Sequence, residues 1–377
     1  MKLMRIRAVS RKEFIHILRD PRSLGMAVAI PMLLLLLFGY ALTLDVDNVP
    51  LVVWAQEDSP IVQDLVRRFS ASPYFSLQGE VGSYEELEYA IDSRTALIAL
   101  VIPAGFSGRI ESGRTAPVQG IVDGSDSNTA SIAISYAQAV TAAYSQDIAL
   151  RTFQRMGERT ADLPVQVEAR VWFNDDRESK NYIIPGLIAV IIMVIAALLT
   201  SLTIAREWEQ GTMEQLISTP VKAPELVIGK LFPYFVIGMV DVLLSVLMGE
   251  YLFHVPLHGS IPLLFAMAAV FLMGALSLGI LISIVTKSQL VASQLAMVLT
   301  FLPAFLLSGF MYAISNMPRA VQLLTYLIPA RYFVALLKGI YLKGTGLAVL
   351  YQEIILLSVF GLLMFLLAIA KFKKKLV

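Results

Sequence analysis

Among the side chains able to do chemistry, Asp241 stands out as a lone carboxylate near the middle of the apolar run 225–252. An ionisable group at that depth is costly, so it marks an ion or substrate pathway by default. It contacts a cationic substrate or a coupling ion, or it is protonated and hydrogen-bonded to a neighbouring helix; the sequence leaves both readings open. Asp123, Asp126 and Asn128 crowd the loop DGSDSNT, but their spacing is not that of the calcium loop D-x-[DN]-x-[DN]-G. The plainer reading is a strand-to-helix turn in which Ser125, Asp126 or Ser127 caps the next helix. His254 and His258 lie four apart without a visible third ligand, so no metal site is expected. The chain has no cysteine, which removes thiolate and disulfide chemistry, and no Ser/His/Asp set is supported by its three histidines. Nor does a G-x-x-x-x-G-K-[ST] string occur, and Lys343-Gly344-Thr345-Gly346 lacks the preceding glycine. The chain is therefore expected to bind no cofactor and to hydrolyse no ATP through a P-loop.

The elements that would carry these residues are mostly apolar. The composition is 57% hydrophobic and 16% charged with a mean hydropathy of +0.70, against about 45–50% and about 25% for soluble domains. Six runs, 24–44, 183–205, 225–252, 262–285, 290–312 and 347–370, are long enough to cross a hydrocarbon core of about 30 Å as helices. The expected fold is an α-helical polytopic membrane protein with six transmembrane helices and an inserted extracytoplasmic α/β domain. Residues 1–23 read as an amphipathic elbow helix: Val9, Phe14, Ile15 and Leu18 share a face, and Asp20-Pro21 stops it. That stretch and the tail 371–377 are basic, which places both termini in the cytoplasm. A nucleic-acid-binding arm is set aside because a span follows at once.

Residues 45–182 are less apolar and alternate strand-like pieces (51–56, 96–103, 117–124, 166–173) with helical ones (60–72, 84–93, 129–156). Following an outgoing first span, this domain is expected outside the membrane. Residues 313–346 are broken by Pro318 and Pro329 and read as outer, partly re-entrant helices. Their Arg319, Arg331, Lys338 and Lys343 run against the positive-inside rule.

Between the second and third spans lies 206–224, where Arg206, Glu207, Glu209, Glu214 and Lys222 surround Trp208, Met213, Leu216, Ile217 and Pro220. Met213, Leu216, Ile217 and Pro220 fall at i, i+3, i+4, i+7, so the segment reads as a short amphipathic helix on the membrane surface. Its polar face is mainly carboxylate rather than basic, which suits docking to a protein better than anchoring in lipid.

The string TSLTIAREWEQGTMEQLISTPV resembles the cytoplasmic loop of ABC type-two transporter permeases. RKEFIHILRDPRS, NYIIPG, and FLPAFLLSGFMY followed by IPARYFV agree with it, so the resemblance runs over nearly the whole chain. It implies the permease subunit of an exporter, multi-pass in a bacterial cytoplasmic (inner) membrane, for an amphiphilic drug or lipid-like substrate. It further implies separate ATPase subunits that carry ATP and Mg and dock on the coupling helix through Glu207, Trp208, Glu209, Met213, Glu214, Leu216 and Ile217. A second permease in a homodimer or heterodimer, a periplasmic adaptor and membrane lipid complete the expected partners, with no nucleic acid. A different class, a mechanotransmitter whose ATP cycles move the outer domain against a partner, is also compatible with the sequence. A membrane-embedded hydrolase lacks a convergent catalytic set.

Overall fold

The structure, a computed structural model, describes residues 2–20, 24–42, 48–155, 172–174 and 178–372. The chain divides into two units, one of Met1–Thr43 with Val171–Val377 and one of Leu44–Arg170.

In the first unit α1 (Leu3–Arg19) is followed by a π-helical turn, Gly25–Ala29, that continues as α2 (Ile30–Ala41). The apolar helix here is Ala27–Ala41, about 22 Å long at the usual rise and short of the bilayer core. The remainder of the expected span 24–44 reaches beyond the described residues.

In the second unit α3 (Pro60–Ser70), α4 (Tyr84–Asp92), α5 (Phe106–Glu111) and α6 (Ser127–Arg155) accompany four strands, β1 (Val49–Ala55), β2 (Phe75–Glu80), β3 (Ile98–Ile102) and β4 (Gln119–Val122). The sheet order is β2-β1-β3-β4, with β1 parallel to β2 and β3, and β4 antiparallel to β3. Successive strand residues face opposite sides, so Leu51, Val53, Ile98 and Leu100 meet Val62, Leu65 and Phe69 of α3 and Ala133 and Tyr144 of α6. Val52, Ala99 and Val101 meet Leu87 and Ala90 of α4 on the other side. β2 and α5 were not expected. β2 has two inward apolar residues, Phe75 and Leu77, and pairs with β1 across an irregularity at Leu51/Val52, too weak a period to find in sequence. The expected closing strand 166–173 lies mostly outside the described residues.

The rest of the first unit is helical: α7 (Ser179–Glu209), α8 (Thr212–Ser218), α9 (Ala223–Leu247, prolonged by a π-helical turn Met248–Leu252), α10 (Ile261–Thr286), α11 (Gln289–Leu307), α12 (Arg319–Thr325), α13 (Pro329–Lys343) and α14 (Leu347–Lys371). Among the described residues five helices are long and apolar enough to cross a membrane: α7, α9 with its turn, α10, α11 and α14. α12 and α13 are bent by 84° and make a sixth only if the pair counts as one span.

α7 is buried along most of its length and is the post on which the bundle packs. Its tightest seam is with α10. A Cβ on Gly279 would collide with Thr200 and Ala197 of α7, Thr200 Oγ1 donates to the Leu276 carbonyl at 2.9 Å, and Ser283 Oγ accepts from the Ala205 amide at 2.8 Å. Small residues and short polar links of this kind hold helices together where lipid supplies no hydrophobic drive.

Candidate functional site

The segment 206–224 forms a corner. Gly211 has φ +71°, a left-handed conformation that glycine adopts without penalty; it ends α7 and turns the chain into the two-turn α8. Pro224 then sits in the first turn of α9, where its missing N–H costs no helical bond.

Met213 is 1% exposed, and Leu216 and Ile217 are half-buried against the core of the helical unit. The apolar stripe thus seats α8 on its own chain, and the face turned outward is Glu214, Gln215 and Ser218. Of the three apolar residues expected to dock on an ATPase, Met213 is buried within this chain while Leu216 and Ile217 keep part of their surface open. The same 3.6-residue period serves either purpose, and the bundle beneath supplies the burial.

Glu207, another of the residues expected to dock the ATPase, is 6% exposed. Its Oε1 accepts from Lys12 Nζ of α1 at 2.8 Å and lies 3.0 Å from Lys230 Nζ of α9. Lys230, 1% exposed, also donates to Glu13 Oε1 of α1 at 2.8 Å. Two lysines and two carboxylates from three helices are thereby locked together, which suits burial because each charge finds its opposite. Next to this network lies a cavity of about 180 Å³ lined in part by His16, Arg206 and Tyr234. Arg206 meets His16 at 3.0 Å and Asp20 at 3.6 Å.

The elbow helix is held along its length. Ser10 Oγ donates to the Gly229 carbonyl at 2.9 Å, and Glu225 Oε1 accepts from the Lys2 amide at 2.8 Å. On the other flank, Glu209 accepts from the Gln289 amide at 2.7 Å and from its side chain at 2.5 Å, and Lys287 Nζ stands 4.6 Å from the centre of the Trp208 ring. The corner is therefore tied to α1, to α9 and to the α10–α11 turn. Lys230 lies near the start of the run 225–252, and its partners are not legible in the sequence. A lysine in a span pairs with a carboxylate or with backbone carbonyls, and here the partner Glu13 lies 217 positions away, with no spacing rule to connect them.

Asp241 is 4% exposed, and its Oδ1 has no hydrogen-bond partner. About 10 Å³ of space adjoins it, lined among others by Leu199, Tyr234 and Leu272, room for roughly one water.

The remaining candidates are placed apart. Asp126 Oδ2 accepts from Thr129 Oγ1 at 2.6 Å at the start of α6, and Asp123 Oδ1 accepts from the Ser125 amide at 2.9 Å. That amide bond holds the Asp123 carboxyl below its usual range. These are the bonds of a capped turn. His258 packs its ring Nδ1 3.0 Å from the Tyr341 carbonyl, and no group of three metal-ligating acids or imidazoles occurs among the described residues.

Comparison with known proteins converges on one family. Residues 21–370 match the model of an ABC-2 family transporter protein. The chain is 38% identical over 354 residues to the probable multidrug ABC transporter permease YbhS of Escherichia coli K12, covering 94% of this chain and 92% of that one. It is 29% identical to the probable multidrug ABC transporter permease YbhR of the same strain, covering 93% of each. It is 24% identical to the ABC transporter G family member 20 of Dictyostelium discoideum, over 96% of this chain and 50% of that protein. A family match over nearly the full length, with a close relative spanning both chains almost end to end, means that this chain belongs to the ABC-2 family of transporter proteins.

Proposed function

We propose that the chain is the permease subunit of an ATP-binding cassette exporter in a bacterial inner membrane, forming with a second permease the path of an amphiphilic drug or lipid-like substrate. ATP and Mg bind on separate ATPase subunits, which dock on the α7–α8–α9 corner. The observation that carries this reading is the corner itself: a short helix held down on its own bundle, next to the end of α7, which Glu207 ties by ion pairs to α1 and α9. A push on such a part moves whole helices as rigid bodies rather than bending a loop. In this reading Glu209, Glu214 and the open edges of Trp208, Leu216 and Ile217 meet the ATPase, while Met213 and Glu207 hold the helix from beneath. Both termini lie in the cytoplasm, the α/β unit lies outside, and a periplasmic adaptor has that unit to bind.

Asp241 is proposed to carry a coupling ion or proton. The space beside it admits a water or small ion but no organic cation, and the unpartnered oxygen favours this role over a structural hydrogen bond. A mechanotransmitting role draws no support from the relatives, whose names are those of transporters and permeases.

The test is ATP-driven flux of a fluorescent amphiphile in liposomes that hold the chain with its ATPase. Flux should appear with the intact chain and fall at least about tenfold with Asp241→Asn, a loss of about 1.4 kcal/mol or more, while ATP hydrolysis persists. Absence of ATP-dependent flux with the intact chain contradicts the exporter reading. Unchanged flux with Asp241→Asn removes the carboxylate from it.

A further inference from the structure

Arg331 and Lys338 lie seven residues apart on α13 and line one cavity of about 400 Å³, within the range of about 300–1,000 Å³ typical of ligand pockets. Tyr182 at the start of α7 and Glu353 near the start of α14 line the same space. Lys338 Nζ donates to the Gly309 carbonyl at 2.9 Å and stands 3.2 Å from the centre of the Tyr182 ring. The Arg331 guanidinium lies 3.7 Å from the centre of the Tyr326 ring, and it donates to the Gln322 carbonyl and to Thr325 Oγ1. Among the described residues neither cation has a carboxylate within ion-pair distance, Glu353 included. Ring faces and carbonyl dipoles attract a cation without cancelling its charge. With two cations and one carboxylate, the lining is net positive.

The depth of the cavity adds to this. Tyr182 and Glu353 sit within the first two turns of α7 and α14, whose other ends are Glu209 and Lys371. The cavity therefore lies at one membrane interface, on the side away from the α8 corner, at the level where tyrosines collect. Leu356 lines it and is 41% exposed, and Leu327 between α12 and α13 is 71% exposed. A polar, positive floor beside an open apolar edge fits a ligand with an anionic head and an apolar body. It also gives two of the four basic residues that defy the positive-inside rule a reason to be there.

We propose that this cavity binds the phosphate headgroup of an anionic amphiphile, with Arg331 and Lys338 supplying the counter-charge and Leu356 opening the apolar path. The proposal rests on the permease reading for its setting in a membrane. Its test reads binding alone, so failure of ATPase docking or of transport would leave the outcome untouched.

The full-length chain purified in detergent is titrated with phosphatidylglycerol, phosphatidylcholine and inorganic phosphate, and bound ligand is read by native mass spectrometry. Phosphatidylglycerol should bind in preference to phosphatidylcholine. Lys338→Gln and Arg331→Gln should each weaken it about tenfold, as expected for loss of a charge-assisted contact. Lys338→Arg, which keeps the charge, should bind as the parent does, as should Arg319→Gln, a charge removed from α12 outside the cavity. Equal binding of the two lipids, or full binding by Lys338→Gln, overturns the proposal. Inorganic phosphate bound as tightly as phosphatidylglycerol overturns the lipid source and assigns the cavity to a free anion.

Discussion

At the α8 end of the helical unit, buried positive charge is met by carboxylate: Lys230 lies between Glu13 and Glu207, and Lys12 closes on Glu207. At the opposite end, Lys338 and Arg331 rest on tyrosine rings and carbonyls with no acid in reach among the described residues. The first arrangement answers each of its lysines with a carboxylate and resists displacement, since parting its members strands charges out of water. The second leaves charge unanswered and gains when an anion arrives. In the proposed reading one end transmits force and the other receives a ligand.

The contrast breaks first, if it breaks, on stability. Lys230→Met should cost about 3–5 kcal/mol, because Glu13 loses its partner and Glu207 keeps only Lys12. Lys338→Gln should cost no more than about 2 kcal/mol, the loss of a ring contact and a carbonyl bond. Thermal unfolding in detergent measures both, and equal losses would erase the distinction between the two ends.

Next comes Leu216→Glu, which drives a charge against the bundle under α8. It should cost about 1–3 kcal/mol and release the ATPase from the purified complex while the chain still inserts. Gln215→Glu, on the outward face, should leave stability within about 0.5 kcal/mol. If Leu216→Glu retains the ATPase and full transport, the corner is an ordinary loop.

The smallest expected effect on the fold is Asp58→Cys in the α/β unit, an exposed change worth about 0.5 kcal/mol or less. In this cysteine-free chain the new thiol should react with an impermeant maleimide in intact cells. Reaction only after lysis would put that unit on the cytoplasmic side of the membrane.

Much of the helical unit was legible because long apolar runs leave little choice of structure, as for α7 and α10. The α/β alternation was legible in β1, β3 and α3, where burial on two faces writes its own period, and not in β2, whose single inward pair writes almost none. The direction of the α8 stripe was not legible, since a helix with one apolar face reads alike whether it packs inward or awaits a partner. The ion network was hidden for a different reason: Glu13, Glu207 and Lys230 come from three helices, and only packing brings them within 3.0 Å. At the other end the signal was present in the misplaced basic residues of 313–346, but it took the rings of Tyr182 and Tyr326 beneath them to give it a chemical meaning.

The most direct test of the central claim, that ATP hydrolysis reaches this membrane protein through the α7–α8–α9 corner, is a contact measurement. Gln215→Cys, on the outward face of α8, is labelled with a photoactivatable thiol probe in the complex of the chain with its ATPase, with Asp58→Cys as the control. A cross-link to the ATPase is expected from position 215 and none from position 58. A complex that forms and hydrolyses ATP yet gives no cross-link from position 215 would contradict that claim.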